Sequence, residues 1–320
     1  MDTGSHVLFG LTLAGLAHVD PLVAEHPAVA EAVLIGTLIG SNAPDFDAVV
    51  RLRGYPAYLR YHRGMTHSLP ALVIWPVLIT LPLIFGSELY QYGHVLFLWT
   101  LAAVVLHVLL DMLNSYGVQS LLPLSKKWVH LDILAIFEPF LFLLHITGLL
   151  LWLGTTWEPS LIFVGVYGAT ALYVAVRAWQ HSRLVQQLKR SFSQLKACHV
   201  LPSFHWFHWS FVVETETCFI TGKIVYGQIK REEIYPKEER TEVIKATMGT
   251  DGVRAFLGFA QRIHVTCKEI QDGYEVYWSD VRFCYDRKLP FGADIVLDRN
   301  LNVVRDRLGW RKKAWDPPFV

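Results

Sequence analysis

Four long apolar runs, roughly 69–86, 95–113, 133–153 and 161–178, dominate the first 180 residues of the chain. Each approaches the ~20 apolar residues that cross a bilayer core. Lipid offers the backbone no hydrogen-bond partners, so runs of this kind fold as helices. Two shorter runs, 7–19 and 28–39, precede them. At roughly 13 residues each they are marginal for crossing, and fit tilted spans, re-entrant helices or interfacial helices equally. Asp20-Pro21 and His26-Pro27 punctuate the turn between these two. The expected architecture is mainly α, a multi-pass helical membrane domain of four to six apolar segments.

Charge is distributed to match. Residues 1–180 hold 18 Asp, Glu, Lys and Arg, and the remaining 140 residues hold 39. The second part has the charge density of a soluble domain. The chain therefore divides into a membrane domain (1–180), a polar linker helix (181–205) and a β-rich domain (206–320). Val, Ile, Thr, Tyr and Phe are frequent in 210–229 and 265–284, as in strands. Residues 294–304 read as a hairpin about Asp298-Arg299-Asn300, and 242–262 as helical. The third domain is thus a small β-rich α+β domain. The cluster His205-Trp206-Phe207-His208-Trp209 fits either an interfacial anchor or a strand entering a core.

A formal net charge of +1 argues against a dedicated nucleic-acid binder, and none is expected as a partner. The four cysteines form no Cys-x-x-Cys pair, which speaks against a zinc ribbon or a disulfide framework. The start MDTGSHVLFG lacks the basic stretch of a cleaved signal peptide. Arg51, Arg53, Arg60 and Arg63, then Lys126 and Lys127, then Arg177, Arg183, Lys189 and Arg190 occupy alternate loops. The positive-inside rule places those loops, and the C-terminal domain, in the cytoplasm.

Few ionisable residues remain in the membrane half, and they gather at segment ends on that same side. His6 opens the first run; Asp45 and Asp47 follow the second; His62 and His67 precede the third; His107 and Asp111 close the fourth. His107 and Asp111 are four apart, on one helix face. Asp45-x-Asp47 follows Pro44 in a loop, and a glycine lies between His62 and His67. Imidazole with carboxylate suits zinc, manganese or iron. Ionisable groups at membrane depth are functional by default. These seven residues are therefore the candidate metal ligands, for one to three divalent ions, zinc or manganese. A proton or ion pathway is the rival use of the same residues.

Around them, Arg63 fits either a phosphate clamp or an ordinary positive-inside arginine. Thr66, Ser68, Asn114 and Tyr116 are candidate substrate contacts, although capping the next helix is the plainer role for Ser68. Asp132 and Glu138 are further candidates for catalysis or a general base.

The elements His62-Arg63-Gly64-Met65-Thr66-His67-Ser68, His107-x-x-x-Asp111 and Asn114-x-Tyr116-Gly117 give residues 1–180 a resemblance to the YdjM-type family of bacterial inner-membrane, metal-dependent hydrolases. There is a fainter similarity to the zinc-dependent phospholipase C and single-strand nuclease superfamily. Carried over, that similarity implies metal ligation by Asp45 or Asp47, His62 or His67, His107 and Asp111. The superfamily's second helical His-x-x-x-Glu pair is missing here, and Asp132 and Glu138 would have to replace it. The resemblance implies a membrane hydrolase of the bacterial inner membrane. Together with the metal residues it leads to the expectation of a metal-activated water attacking a phosphoester or an amphiphilic, lipid-linked ester. A transporter and a non-catalytic scaffold are the alternatives.

Overall fold

The computed structural model describes residues 1–311. Among the described residues ten α-helices follow one another: α1 (Thr3–Leu16), α2 (Pro21–Glu25), α3 (Pro27–Gly40), α4 (Tyr55–Tyr61), α5 (Ala71–Gly86), α6 (Gly93–Met112), α7 (Pro139–Gly154), α8 (Pro159–Ser191), α9 (Glu242–Thr247) and α10 (Asp251–Phe259). Eight strands lie after α8: β1 (Ala197–Pro202), β2 (His208–Glu214), β3 (Cys218–Val225), β4 (Gln228–Pro236), β5 (Ile263–Ile270), β6 (Gly273–Asp280), β7 (Phe291–Asp298) and β8 (Val303–Trp310). The chain forms two compact units. The first comprises Met1–Ala48 and His62–Gln180, and the second Val49–Tyr61 and everything from His181 onward.

The first unit is helical. Asp2 caps α1 by accepting from the Ser5 amide at 3.0 Å. Proline at the first helical position starts α2, α3 and α7. For that reason the apolar stretch 133–153 becomes helical only at Pro139. Among the described residues, two helices are long and apolar enough to cross a membrane: Tyr90–Met112, which contains α6, and α8. A third is reached if Tyr55–His67 and Ala71–Gly86 make one broken span. The two early runs are helices α1 and α3, of 14 residues each. Their length of about 21 Å falls short of the ~30 Å hydrocarbon core.

Trp157 and Trp179 are both exposed, one before and one within α8. Their spacing along a helix corresponds to about 33 Å, so they suit the two aromatic belts of a bilayer. Glycines let the helices close on one another, as is usual in membranes. A Cβ on Gly10 of α1 would collide with the Ser41 side chain just after α3, and one on Gly36 would collide with Thr100 of α6. Buried His145 is bridged to Thr12 at 2.7 Å and to Thr170 at 2.9 Å, tying α7 to α1 and α8.

The second unit holds two antiparallel four-stranded sheets, ordered β1-β2-β3-β4 and β5-β6-β7-β8. The polar helix after the last apolar run is the end of α8. It stops at Ser191, and β1 begins at Ala197, inside the stretch expected as linker. Leu188 and Phe192 of this helix end pack on Val200, Trp209, Phe211 and Ile224 of the first sheet. In the aromatic cluster at 205–209, Trp209 is core, as the strand reading expects, and Phe207 is exposed beside Tyr226. On the second sheet, α10 buries Phe256 and Phe259 against Phe291. The β7–β8 hairpin turns where Asp298 accepts from the amides of Asn300 and Asn302, as the sequence suggests. A fully buried pair, Arg282 with Asp280 at 2.7 Å, closes the turn after β6.

Candidate metal centre

The first unit brings all seven candidate ligands together. Four of their atoms converge: Nε2 of His67, Nε2 of His107, Oδ1 of Asp45 and Oδ2 of Asp111. The His67–His107 separation is 3.2 Å. His67 lies 3.5 Å from each carboxylate oxygen. His107 lies 3.6 Å from Asp45 and 3.7 Å from Asp111. Ligands bonded at 2.0–2.2 Å to a tetrahedral ion stand about 3.4 Å apart. Five edges of such a tetrahedron are therefore already in place.

Hydrogen bonding explains why these atoms face a common point. His107 Nδ1 lies 2.7 Å from the backbone carbonyl of Ser41. A carbonyl only accepts, so Nδ1 carries the proton and Nε2 presents its lone pair in the neutral ring. His67 is fixed by a longer chain. The Thr66 hydroxyl donates to Asp47 Oδ2, which leaves its oxygen to accept from His67 Nδ1 at 3.0 Å. The neutral form of His67 then likewise presents Nε2 as a lone pair. Among the described residues, Asp45 Oδ1 and Asp111 Oδ2 have no hydrogen-bond donor although both are buried. With neutral rings, two nitrogen lone pairs lie beside two carboxylate oxygens that lack a donor, an arrangement that a cation resolves; the buried Met1 ammonium meets the other oxygen of Asp111 and His6 Nε2.

His6 stacks on His107 with ring centroids 3.8 Å apart. His6 also belongs to a group, with Asp45, His107 and Asp111, whose candidate ligand atoms all lie within 4.8 Å of one another. A second such group is Asp45, Asp47 and His62, so Asp45 is common to both. Asp47 is heavily engaged within the protein. It receives His62 Nδ1 at 2.6 Å, the Arg63 amide at 2.9 Å and the Thr66 hydroxyl. In this structure Asp47 acts as a hub that orients others.

Arg63 has a positive φ of 64°, a conformation uncommon for a side-chain-bearing residue. Its amide bond to Asp47 and the Gln119 amide donating to its carbonyl at 2.9 Å hold it there. The guanidinium reaches Asp111 Oδ1 at 3.2 Å and Asn114 Oδ1 at 3.3 Å, and lies over the Tyr116 ring. Asn114 in turn donates to Asp111 at 3.3 Å and accepts from the amides of Tyr116 and Gly117. The Asn-x-Tyr-Gly turn is thus a brace for the end of α6. Ser68 caps its own turn through the Met65 carbonyl at 2.6 Å.

Asp132 and Glu138 do not join the convergent set. Asp132 is bonded to His130 at 2.8 Å. Glu138 accepts from the Tyr173 hydroxyl and the Ala135 amide, each at 2.7 Å. Sequence reasoning missed Ser41, whose contribution is a backbone carbonyl and leaves no mark in residue type.

The class of protein these features define is that of helical membrane proteins with a His/Asp centre at the helix ends. A family model for the YdjM inner membrane proteins matches residues 1–184, and the chain belongs to that family. It is 34% identical over 313 residues to the uncharacterized protein YfhP of Bacillus subtilis (strain 168), covering 97% of this chain and 95% of that protein. Residues 242–315 match the YfhP C-terminal alpha/beta plait domain. No solved structure matches the chain significantly. These findings are consistent with a multi-pass protein of a bacterial inner membrane.

Proposed function

We propose that this protein is a membrane-embedded, metal-dependent hydrolase of phosphoesters or lipid-linked esters, working at the cytoplasmic face. The observation that carries the proposal is the convergence of two imidazole nitrogens on two carboxylate oxygens that, among the described residues, receive no hydrogen bond, with five of the six separations near those of a tetrahedral ion. His67, His107, Asp45 and Asp111 would hold the ion, with His6 beside them. The mixed nitrogen and oxygen set suits zinc, with manganese as second choice. Such an ion supplies Lewis acidity and a water activated for attack at neutral pH.

The chain's own residues have separate tasks in this reading. Asp47, Thr66 and Ser41 fix the tautomers of the two histidines. Arg63 keeps Asp111 oriented and offers positive charge for a developing anion. Asn114 and Tyr116 hold the guanidinium in place. Asp45 is the most exposed of the four ligands, its side chain 20% accessible against 0% for the other three, so substrate approaches past it.

The test is elemental analysis of detergent-purified protein beside a His67→Ala/His107→Ala double variant. Zinc or manganese near one per chain, lost in the variant, together with release of phosphate or alcohol from a phosphoester panel, supports the proposal. Absence of metal after refilling with both ions would sink it.

A further inference from the structure

The centre lies next to a surface that suits a lipid tail. Asp45 is followed by Phe46, which is 57% exposed, and His67 shares its short turn with Met65, which is 67% exposed. Phe46 sits edge-on to Trp75 at 6.1 Å, and the Trp75 indole N–H donates to the Thr66 carbonyl at 3.1 Å. This threshold of apolar side chains therefore abuts the residues that orient His67. It continues through exposed Leu69 onto α5, whose exposed side is apolar from Val73 to Phe85. A soluble protein does not leave such a stripe to water, and on a membrane helix it is the lipid-facing side.

The other border of the threshold is cationic. The loop after α6 is held beside the His67 segment by the Leu69 amide, which donates to the Leu122 carbonyl at 3.3 Å. That loop exposes Leu121 and Leu124, the latter at 82%, and then Lys126 and Lys127. Leucine beside lysine is the chemistry of an anionic membrane surface. An acyl chain lying on α5 would place its headgroup between these lysines and Asp45.

We propose that the metal centre takes a phosphate-bearing lipid that enters sideways from the bilayer, its acyl chain resting on the Phe46–Met65–Leu69 threshold. This rests on the metal-centre reading of the preceding section. The shared chemistry is a phosphate group, and the two possible sources are a membrane lipid and a soluble phosphoester.

Full-length protein in dodecyl maltoside, loaded with Co(II), separates them. The visible spectrum of cobalt reports entry of a phosphate oxygen among its ligands, with no need for turnover. Dioleoyl phosphatidic acid is titrated against glycerol 3-phosphate. The lipid is expected to shift the spectrum at a concentration at least about tenfold lower. Met65→Asp and the milder Phe46→Ala, each retaining the Co(II) spectrum as proof of folding, are expected to erase most of that advantage. Equal response to both phosphates overturns the inference, as does an advantage that survives in both variants. A normal cobalt spectrum that neither phosphate alters also overturns it, while leaving the metal centre standing. Failure to take up Co(II) at all overturns the metal reading itself, and this inference with it.

Discussion

The rings of His67 and His107 meet nitrogen to nitrogen, Nε2 to Nε2, at 3.2 Å. Each ring gives its Nδ1 proton to a fixed acceptor, Thr66 Oγ1 for one and the Ser41 carbonyl for the other. With both rings neutral, two lone pairs face each other at that separation and repel unless positive charge lies between them. Replacing either histidine by alanine should therefore abolish tight binding. Bound zinc or manganese is expected to fall from about one per chain to background, read by elemental analysis after dialysis. Wild-type metal content in both single variants would rule out this pair as ligands.

The Asp47–Thr66–His67 chain makes a sharper prediction, because Thr66 touches no ion. Thr66→Val removes the acceptor for His67 Nδ1, and an outer-layer loss of this kind costs about 10–100-fold in metal affinity. Thr66→Ser keeps the hydroxyl and should bind as wild type does. Competition against a chelator of known affinity measures both. Equal affinities for Val and Ser would mean that the hydroxyl does not orient the ring.

Packing at a distance should matter too. Gly10 lets α1 lie against Ser41, whose carbonyl fixes His107. Gly10→Leu alters no ligand, yet it must push this contact apart. Its metal affinity is expected to drop at least about tenfold, since overpacking displaces backbone. The same chelator competition checks it, with α-helical content by circular dichroism as the control for folding.

Stability of the second unit should depend on the Asp280–Arg282 pair, whose side chains are both fully buried. Arg282→Ala strands a buried carboxylate that keeps the backbone amides of Gln261 and of position 282 as donors but loses its countercharge. The expected loss is about 3–5 kcal/mol, seen as a lower midpoint in denaturant for the β signal. A change within about 0.5 kcal/mol, the range of ordinary surface substitutions, would refute it.

Much of this protein is written locally. Apolar runs without charge can only be helices in lipid, so α1, α3, α5, α6 and α8 were legible from composition alone. Turn chemistry marked the β7–β8 hairpin at Asp298, and His107 with Asp111 announced a shared helix face by spacing. The seven candidates could be singled out because an apolar segment keeps an ionisable residue only for a reason. What tertiary structure decided is the division of labour among them. Asp45 and Asp47 are two residues apart and chemically identical. Yet the first presents an oxygen without a donor, while the second is consumed by His62, Arg63 and Thr66. Asp132 and Glu138 were further candidates, yet they bond to His130 and to Tyr173 and do not join this set. The physical reason is that residue type sets which atoms can bind an ion. Only the packing of α1, α3 and α6, with the turn that carries His67, determines which lone pairs are left without a proton.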